Sequence, residues 1–104
     1  MQNISVSELK KVLDVSGDHV VVDVRPPERY AAGHIPRALN IPLEKIEKEG
    51  DKFLGNSKVY IYCNSGNTSQ LACMLLESMG CENAINVEGG IIEWERLGFK
   101  TERS

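Results

Sequence analysis

The stretch His19-Val20-Val21-Val22-Asp23-Val24 constrains the fold most tightly. It is a continuous β-branched run, not an apolar–polar alternation, and such runs suit strands covered on both faces, as in parallel sheets. Pro26-Pro27 ends it, because proline fixes φ and removes a backbone donor. The same texture returns in Ala38-Leu39-Asn40-Ile41 before Pro42, in Val59-Tyr60-Ile61-Tyr62 after the turn-like Gly55-Asn56-Ser57, and in Ala84-Ile85-Asn86-Val87. Helical patterns lie between these runs. Ser5-Val6-Ser7-Glu8 fits a capping box, with Ser5 as N-cap and Glu8 reaching back. Val6, Leu9, Val12 and Leu13 follow at helical spacing, and Ser16-Gly17-Asp18 is the expected stop. Residues 27–32 read as a short helix closed by Gly33. Residues 43–49 read as a charged helical stretch, with Leu43 and Ile46 on one side, broken by Gly50-Asp51. Residues 69–79 read as a helix with Leu71, Met74, Leu75 and Met79 on one face and Gly80 behind it. Gly89-Gly90 opens a last helix over 91–97, followed by Gly98. Strands alternating with helices predict an α/β fold built on a parallel sheet.

The bulk numbers narrow the function classes. A length of 104 residues predicts one domain covering 1–104. Hydrophobic residues at 41% and charged residues at 26% fit an ordinary globular chain. The net charge is −3 and no basic run occurs, which argues against nucleic acid as a partner. No apolar stretch approaches the ~20 residues that span a bilayer. The opening Met1-Gln2-Asn3-Ile4-Ser5 has neither a basic nor an apolar leader segment. Cys63, Cys73 and Cys81 are odd in number, form no CxxC pair, and lie far from His19 and His34 in sequence. Neither a disulfide framework nor a metal site is expected, and a reducing cytoplasm is.

Cys63 stands apart from the other two cysteines. It falls just past the carboxyl end of a predicted strand and just before a helix N-terminus, where ligands bind in such folds. A free thiol near pKa ~8.5 is mostly protonated at neutral pH. A helix N-terminus offers unpaired N–H groups and partial positive charge, and a loop with Gly66 can turn further amides inward. These features predict a reactive thiolate at Cys63 without a neighbouring base. Cys73, mid-helix, and Cys81, after the helix stop, read as inert buried thiols.

The ordered segments Asp23-Val24-Arg25, Tyr30, Gly33-His34-Ile35-Pro36, Ala38-Leu39-Asn40-Ile41-Pro42, Cys63-x-x-Gly66-Asn67-x-Ser69 and Gly89-Gly90-Ile91-x-x-Trp94 with Gly98 behind resemble the single-domain rhodaneses, a family of sulfurtransferases. The likeness spans nearly the whole chain, and the combination is specific where each piece alone is weak. It implies a rhodanese-like fold, a five-stranded parallel sheet flanked by helices on both faces. It also implies that Cys63 takes sulfane sulfur from thiosulfate, a polysulfide or a protein persulfide and passes it to a thiol or cyanide. Asn64, Ser65, Gly66, Asn67, Thr68 and Ser69 would bind substrate and stabilise the sulfur anions. No cofactor and no metal are called for. The partners implied are a small donor and acceptor, and in one reading a partner protein; the expected assembly is a monomer or weak dimer.

The loop also departs from the family. Many members carry Arg at the positions of Asn64 and Thr68, and their absence argues against thiosulfate as the physiological donor, since charge-assisted hydrogen bonds are each worth ~1.5–3 kcal/mol. Related phosphatases use a loop one residue longer with a closing Arg; position 69 here is Ser, which disfavours phosphoryl chemistry. The runner-up function is a persulfide carrier or thiol sensor that docks a partner protein at Cys63. Among other residues, Arg25 could meet an anionic substrate. Asp23 is expected to brace the crevice by pairing with Arg25 or with loop amides. His34 is expected to tie a turn to the backbone, and Tyr30 and Trp94 to form core or crevice wall. Lys45 and Lys48 could guide an anionic partner.

Overall fold

The computed structural model describes residues 1–15, 19–55 and 58–104. Five strands form one sheet in the order β1-β5-β4-β2-β3, and every pairing is parallel. They are β1 (Gln2–Ser5), β2 (His19–Asp23), β3 (Leu39–Asn40), β4 (Lys58–Tyr62) and β5 (Ala84–Glu88). The helices are α1 (Val6–Leu13), α2 (Pro27–Ala32), α3 (Ile46–Glu49), α4 (Asn67–Ser78) and α5 (Gly90–Arg96). Ser16-Gly17-Asp18 and Asn56-Ser57, the expected helix stop and part of the expected turn, lie outside the described residues.

Side chains along β4 and β2 divide between two apolar layers, because successive Cβ atoms point to opposite faces. Val22, Val24, Val59, Ile61 and Cys63 join Ile46, Phe53, Ala72, Cys73 and Leu76 beneath α3 and α4. Val21, Tyr60, Tyr62, Ile85 and Val87 join Val6, Leu9, Ile35, Ile91 and Trp94 beneath α1 and α5. The central strands are therefore covered on both faces, which is why they read as continuous runs.

Four elements differ from the sequence expectation. β1 pairs with β5 from Gln2↔Ile85 to Ser5↔Glu88, though its short polar sequence reads only as a lead into α1. Ser5 caps α1 as expected, accepting from the Glu8 N–H at 3.1 Å. The Glu8 carboxylate takes the Ser5 hydroxyl at 3.2 Å instead of a backbone donor. Gly50 does not break the third helical stretch, which continues as a 3-10 turn over Gly50–Phe53. A Cβ on Gly50 would stand 2.5 Å from Leu76 Cδ2, so glycine there serves close packing against α4. On α4 the buried face is Ser69, Ala72, Cys73 and Leu76, while Leu71 and Met74 are exposed and only Leu75 and Met79 pack partly inward. The helix lies close against the sheet, so small side chains fill that contact and the bulky stripe faces out.

Candidate active site

β4 ends at Tyr62, and the chain turns at once toward the N-terminus of α4. Gly66, the residue before α4, has φ 113°, the left-handed region that glycine occupies at low cost. That turn aims amides at the sulfur of Cys63. Gly66 N–H donates to Sγ at 3.1 Å and Ser69 N–H at 3.3 Å, and Ser69 Oγ lies 3.4 Å away. Burial pushes the Cys63 thiol up. The Ser69 hydroxyl, the Ser69 and Gly66 amides and the Ser65 amide outweigh it and bring the thiol below its ordinary value. Among the described residues no such set of donors meets Cys73; burial, then the Glu77 carboxylate, pushes it up to about 12.

The loop is held from behind by α5. Ile91 N–H donates to the Cys63 carbonyl at 3.0 Å, and Ile92 N–H to the Asn64 carbonyl at 3.1 Å. Gly90 makes this approach possible. It has φ 54°, and a Cβ there would stand 2.4 Å from the Cys63 carbonyl oxygen and 2.5 Å from that of Asn64. The Gly89-Gly90 pair thus opens a helix and also admits the backbone of the cysteine loop.

On the other side lies the end of β2. Asp23 is fully buried, and its carboxylate accepts from Arg25 Nη2 at 2.7 Å, from Nε at 3.1 Å and from the Arg25 backbone N–H at 2.9 Å. Arg25 Nη2 also donates to the Gly33 carbonyl at 2.7 Å. Its Nε and Nη2 are therefore committed to bracing the crevice wall. Tyr62 accepts from Ile35 N–H at 3.1 Å, and burial next to Asp23 raises its phenol far above the ordinary range. His34 Nδ1 lies 2.9 Å from the Tyr30 carbonyl, and the two rings stack at 3.8 Å. Trp94 is buried and donates from Nε1 to the Lys100 carbonyl at 2.9 Å.

Between these walls Cys63, 3% exposed, lies at the edge of a crevice of about 270 Å³. Val24, Arg25, Pro26, Arg29, Asn64 and Thr68 complete its lining. The arrangement brings Cys63, Asn64, Thr68 and Arg25 to one cavity and turns Gly66 and Ser69 inward beneath the sulfur. Ser65 on the loop and Asn67 at the start of α4 are exposed. Two residues escape the sequence reading. Arg29 stands four positions after Arg25 and extends the cationic side of the crevice from α2, not from the loop where an anion-binding Arg was sought. Asn86 is fully buried in β5, takes the Ser69 hydroxyl on Oδ1, and was hidden inside an otherwise apolar strand; its polarity at that position was the available signal.

The sequence pattern of the rhodanese-like domain matches residues 5–97. The chain belongs to the rhodanese-like family. A Sulfurtransferase of Allochromatium vinosum is 36% identical over 99 residues, covering 95% of this chain and 92% of that protein. A "Putative sulfur carrier protein" of Bacillus subtilis is 34% identical over 91 residues, 88% of this chain and 49% of the relative, so the chain spans about half the length of that protein. The crystal structure of a rhodanese-like domain protein from Staphylococcus aureus superposes with a TM-score of 0.87 at 36% identity, over 100% of this chain and 99% of that one. The five-stranded parallel sheet is thus the rhodanese sheet, and the relatives of this rhodanese-like chain include proteins named as sulfurtransferases and a putative sulfur carrier. No helix among the described residues is long and apolar enough to cross a membrane.

Proposed function

We propose that this rhodanese-like protein is a sulfurtransferase that carries sulfane sulfur on Cys63. The observation that supports it is the convergence of the Gly66 and Ser69 amides on Sγ, which favours a sulfur anion without a general base. The Cys63 thiolate attacks the sulfane sulfur of a donor. With thiosulfate, the S–S bond breaks and sulfite leaves with the bonding pair, so that Cys63 holds a persulfide. A thiol or cyanide then attacks the outer sulfur, and the pair from the broken S–S bond returns to Cys63 as thiolate. Covalent storage divides the transfer into two half-reactions, which predicts ping-pong kinetics.

Arg29 restores part of the positive charge that the loop lacks. Its guanidinium is exposed at the crevice mouth, while Arg25 is committed to Asp23. With Arg29 the one open cation lining the crevice among the described residues, a donor of low charge, such as a persulfide or polysulfide, is favoured over dianionic thiosulfate. The name of the Bacillus relative favours a second reading, in which the domain carries sulfur for a partner without turnover. Thiocyanate counted against Cys63 separates the two. After loading with polysulfide and removal of the free donor, cyanide discharges one thiocyanate per Cys63 from a carrier. With donor kept present and the spontaneous cyanolysis of polysulfide subtracted, the enzyme releases many per Cys63, and Cys63→Ser releases none above that background. Arg29→Gln raises KM for anionic donors and leaves kcat close to its original value; an unchanged KM removes Arg29 from donor binding.

A further inference from the structure

Asn86 is an anomaly in the apolar layer beneath α4. Val59, Ile61, Cys63 and Ala84 share its face of the sheet and are all buried. A polar group buried in such surroundings is costly unless both ends of its amide are paired. Both ends are. Ser69 Oγ–H donates to Asn86 Oδ1 at 2.5 Å, and Asn86 Nδ2 donates to Asn3 Oδ1 at 3.1 Å. Asn3 sits directly opposite Asn86 on β1 and is exposed. A hydrogen-bonded chain therefore runs from Cys63 Sγ through Ser69 and Asn86 to the surface, on the side of the sheet edge.

The direction of this chain matters to the sulfur. Ser69 has one hydroxyl proton. As the chain stands, that proton goes to Asn86, and Ser69 Oγ can only accept from a Cys63 thiol. A thiolate or persulfide anion needs the reverse, with Ser69 donating to sulfur. Rotating the two amides by half a turn achieves this without orphaning a buried group: Asn86 Nδ2 then donates to Ser69 Oγ, and Asn3 Nδ2 donates to Asn86 Oδ1. Amide oxygen and nitrogen are nearly the same size, so the reversed chain fits the same space. The exposed end at Asn3 exchanges its partners with water.

We propose that Asn86 and Asn3 are positioning residues that reverse the Ser69 hydrogen bond as Cys63 passes between thiol and sulfur anion, the thiol proton leaving to water in the crevice. This rests on Cys63 as the sulfur-bearing nucleophile, but its test reads proton binding at Cys63, so it can fail while sulfur transfer stands. Among the described residues, the charged groups that line the Cys63 crevice and the adjoining hollow are four. Arg25, held by Asp23, and Arg29 come from the β2–α2 side; Glu28 and Glu95 line an adjoining hollow; the first turn of α4 carries no acidic residue.

The experiment measures the rate of Cys63 alkylation by iodoacetamide across pH, with peptide mass spectrometry assigning the site. Asn3→Asp can only accept and holds the chain in the thiol direction; Asn3→Lys can only donate and holds it in the anion direction. We expect the lysine variant to alkylate at neutral pH roughly fivefold or more faster than the aspartate variant, a fraction of one hydrogen bond to a charged group. In a Ser69→Ala background the chain is cut, and the gap shrinks to the small salt-screened effect of a surface charge. A gap of equal size with and without Ser69, or no gap in its presence, overturns the proposal. Asn86→Leu supplies an uncharged arm: it frees the Ser69 hydroxyl for sulfur and speeds alkylation at neutral pH, whereas an unchanged or slower rate contradicts the account. Asn3 is exposed, so its variants keep the test decisive if Asn86→Leu does not fold.

Discussion

Cys63 and Cys73 lie in the same apolar cluster and differ in acidity in opposite directions. Burial disfavours both thiolates; only Cys63 meets a hydroxyl and a set of amides that repay the lost hydration. Iodoacetamide near neutral pH should therefore label Cys63 and spare Cys73. Ser69→Ala removes one donor to a charged acceptor and should slow Cys63 alkylation by roughly tenfold. Labelling of Cys73 ahead of Cys63 would contradict this. The stability consequence has a definite sign. The folded Cys63 pKa lies below its unfolded value, so its contribution is complete above the unfolded pKa, near ~8.5, and is lost as pH falls through the folded pKa. Stability of the protein relative to Cys63→Ser should thus rise with pH across that window and then level off, as measured by urea unfolding at several pH values. At this scale the sequence made legible where a residue sits: Cys63 and the Asp23–Arg25 pair stand at strand ends and Gly66 precedes α4. Arg29 and Asn86 drew their place from neighbours that only the folded chain supplies.

The elements explain why the loop keeps its shape. β4 delivers Cys63, α4 presents its first amides, and the start of α5 grips two loop carbonyls. Gly90→Ala should be severe. Its new Cβ meets carbonyl oxygens 2.4 and 2.5 Å away, and φ 54° strains any residue with a Cβ. We expect a loss of roughly 2 kcal/mol or more in urea unfolding and a slower Cys63 alkylation, because the loop must move off α5. Normal stability with normal Cys63 reactivity would contradict the latch. Element types were legible because strands and helices kept their characteristic periods. The buried face of α4 was not. Two stripes of similar spacing competed, and the bulkier one lost because close approach to the sheet admits only Ser69, Ala72 and Cys73 beside Leu76. β1 escaped because its pairing with β5 comes from a partner more than eighty positions away in sequence, and four polar-leaning residues carry no strand signature of their own.

The whole molecule is a sheet with one apolar layer on each face and the Cys63 crevice at the carboxyl ends of β2 and β4, the placement general to open α/β sheets. The layer beneath α4 serves both stability and the site. Leu76 is fully buried within it and packs against the bare backbone of Gly50. Leu76→Ala should cost about 2–5 kcal/mol, read as a lower denaturant midpoint. A cost below about 1 kcal/mol would mean the layer collapses onto the vacated space. The overall architecture could be anticipated from alternation and from the ordered motifs, since both reflect the same repeated strand–helix unit. Whether Cys63 carries the sulfur is read most directly by incubation with polysulfide followed by intact and peptide mass spectrometry. The predicted result is a gain of about 32 Da, one sulfur atom, on the Cys63 peptide, discharged by cyanide and absent from Cys63→Ser. A gain that persists in Cys63→Ser, or that resides on Cys73, would contradict it.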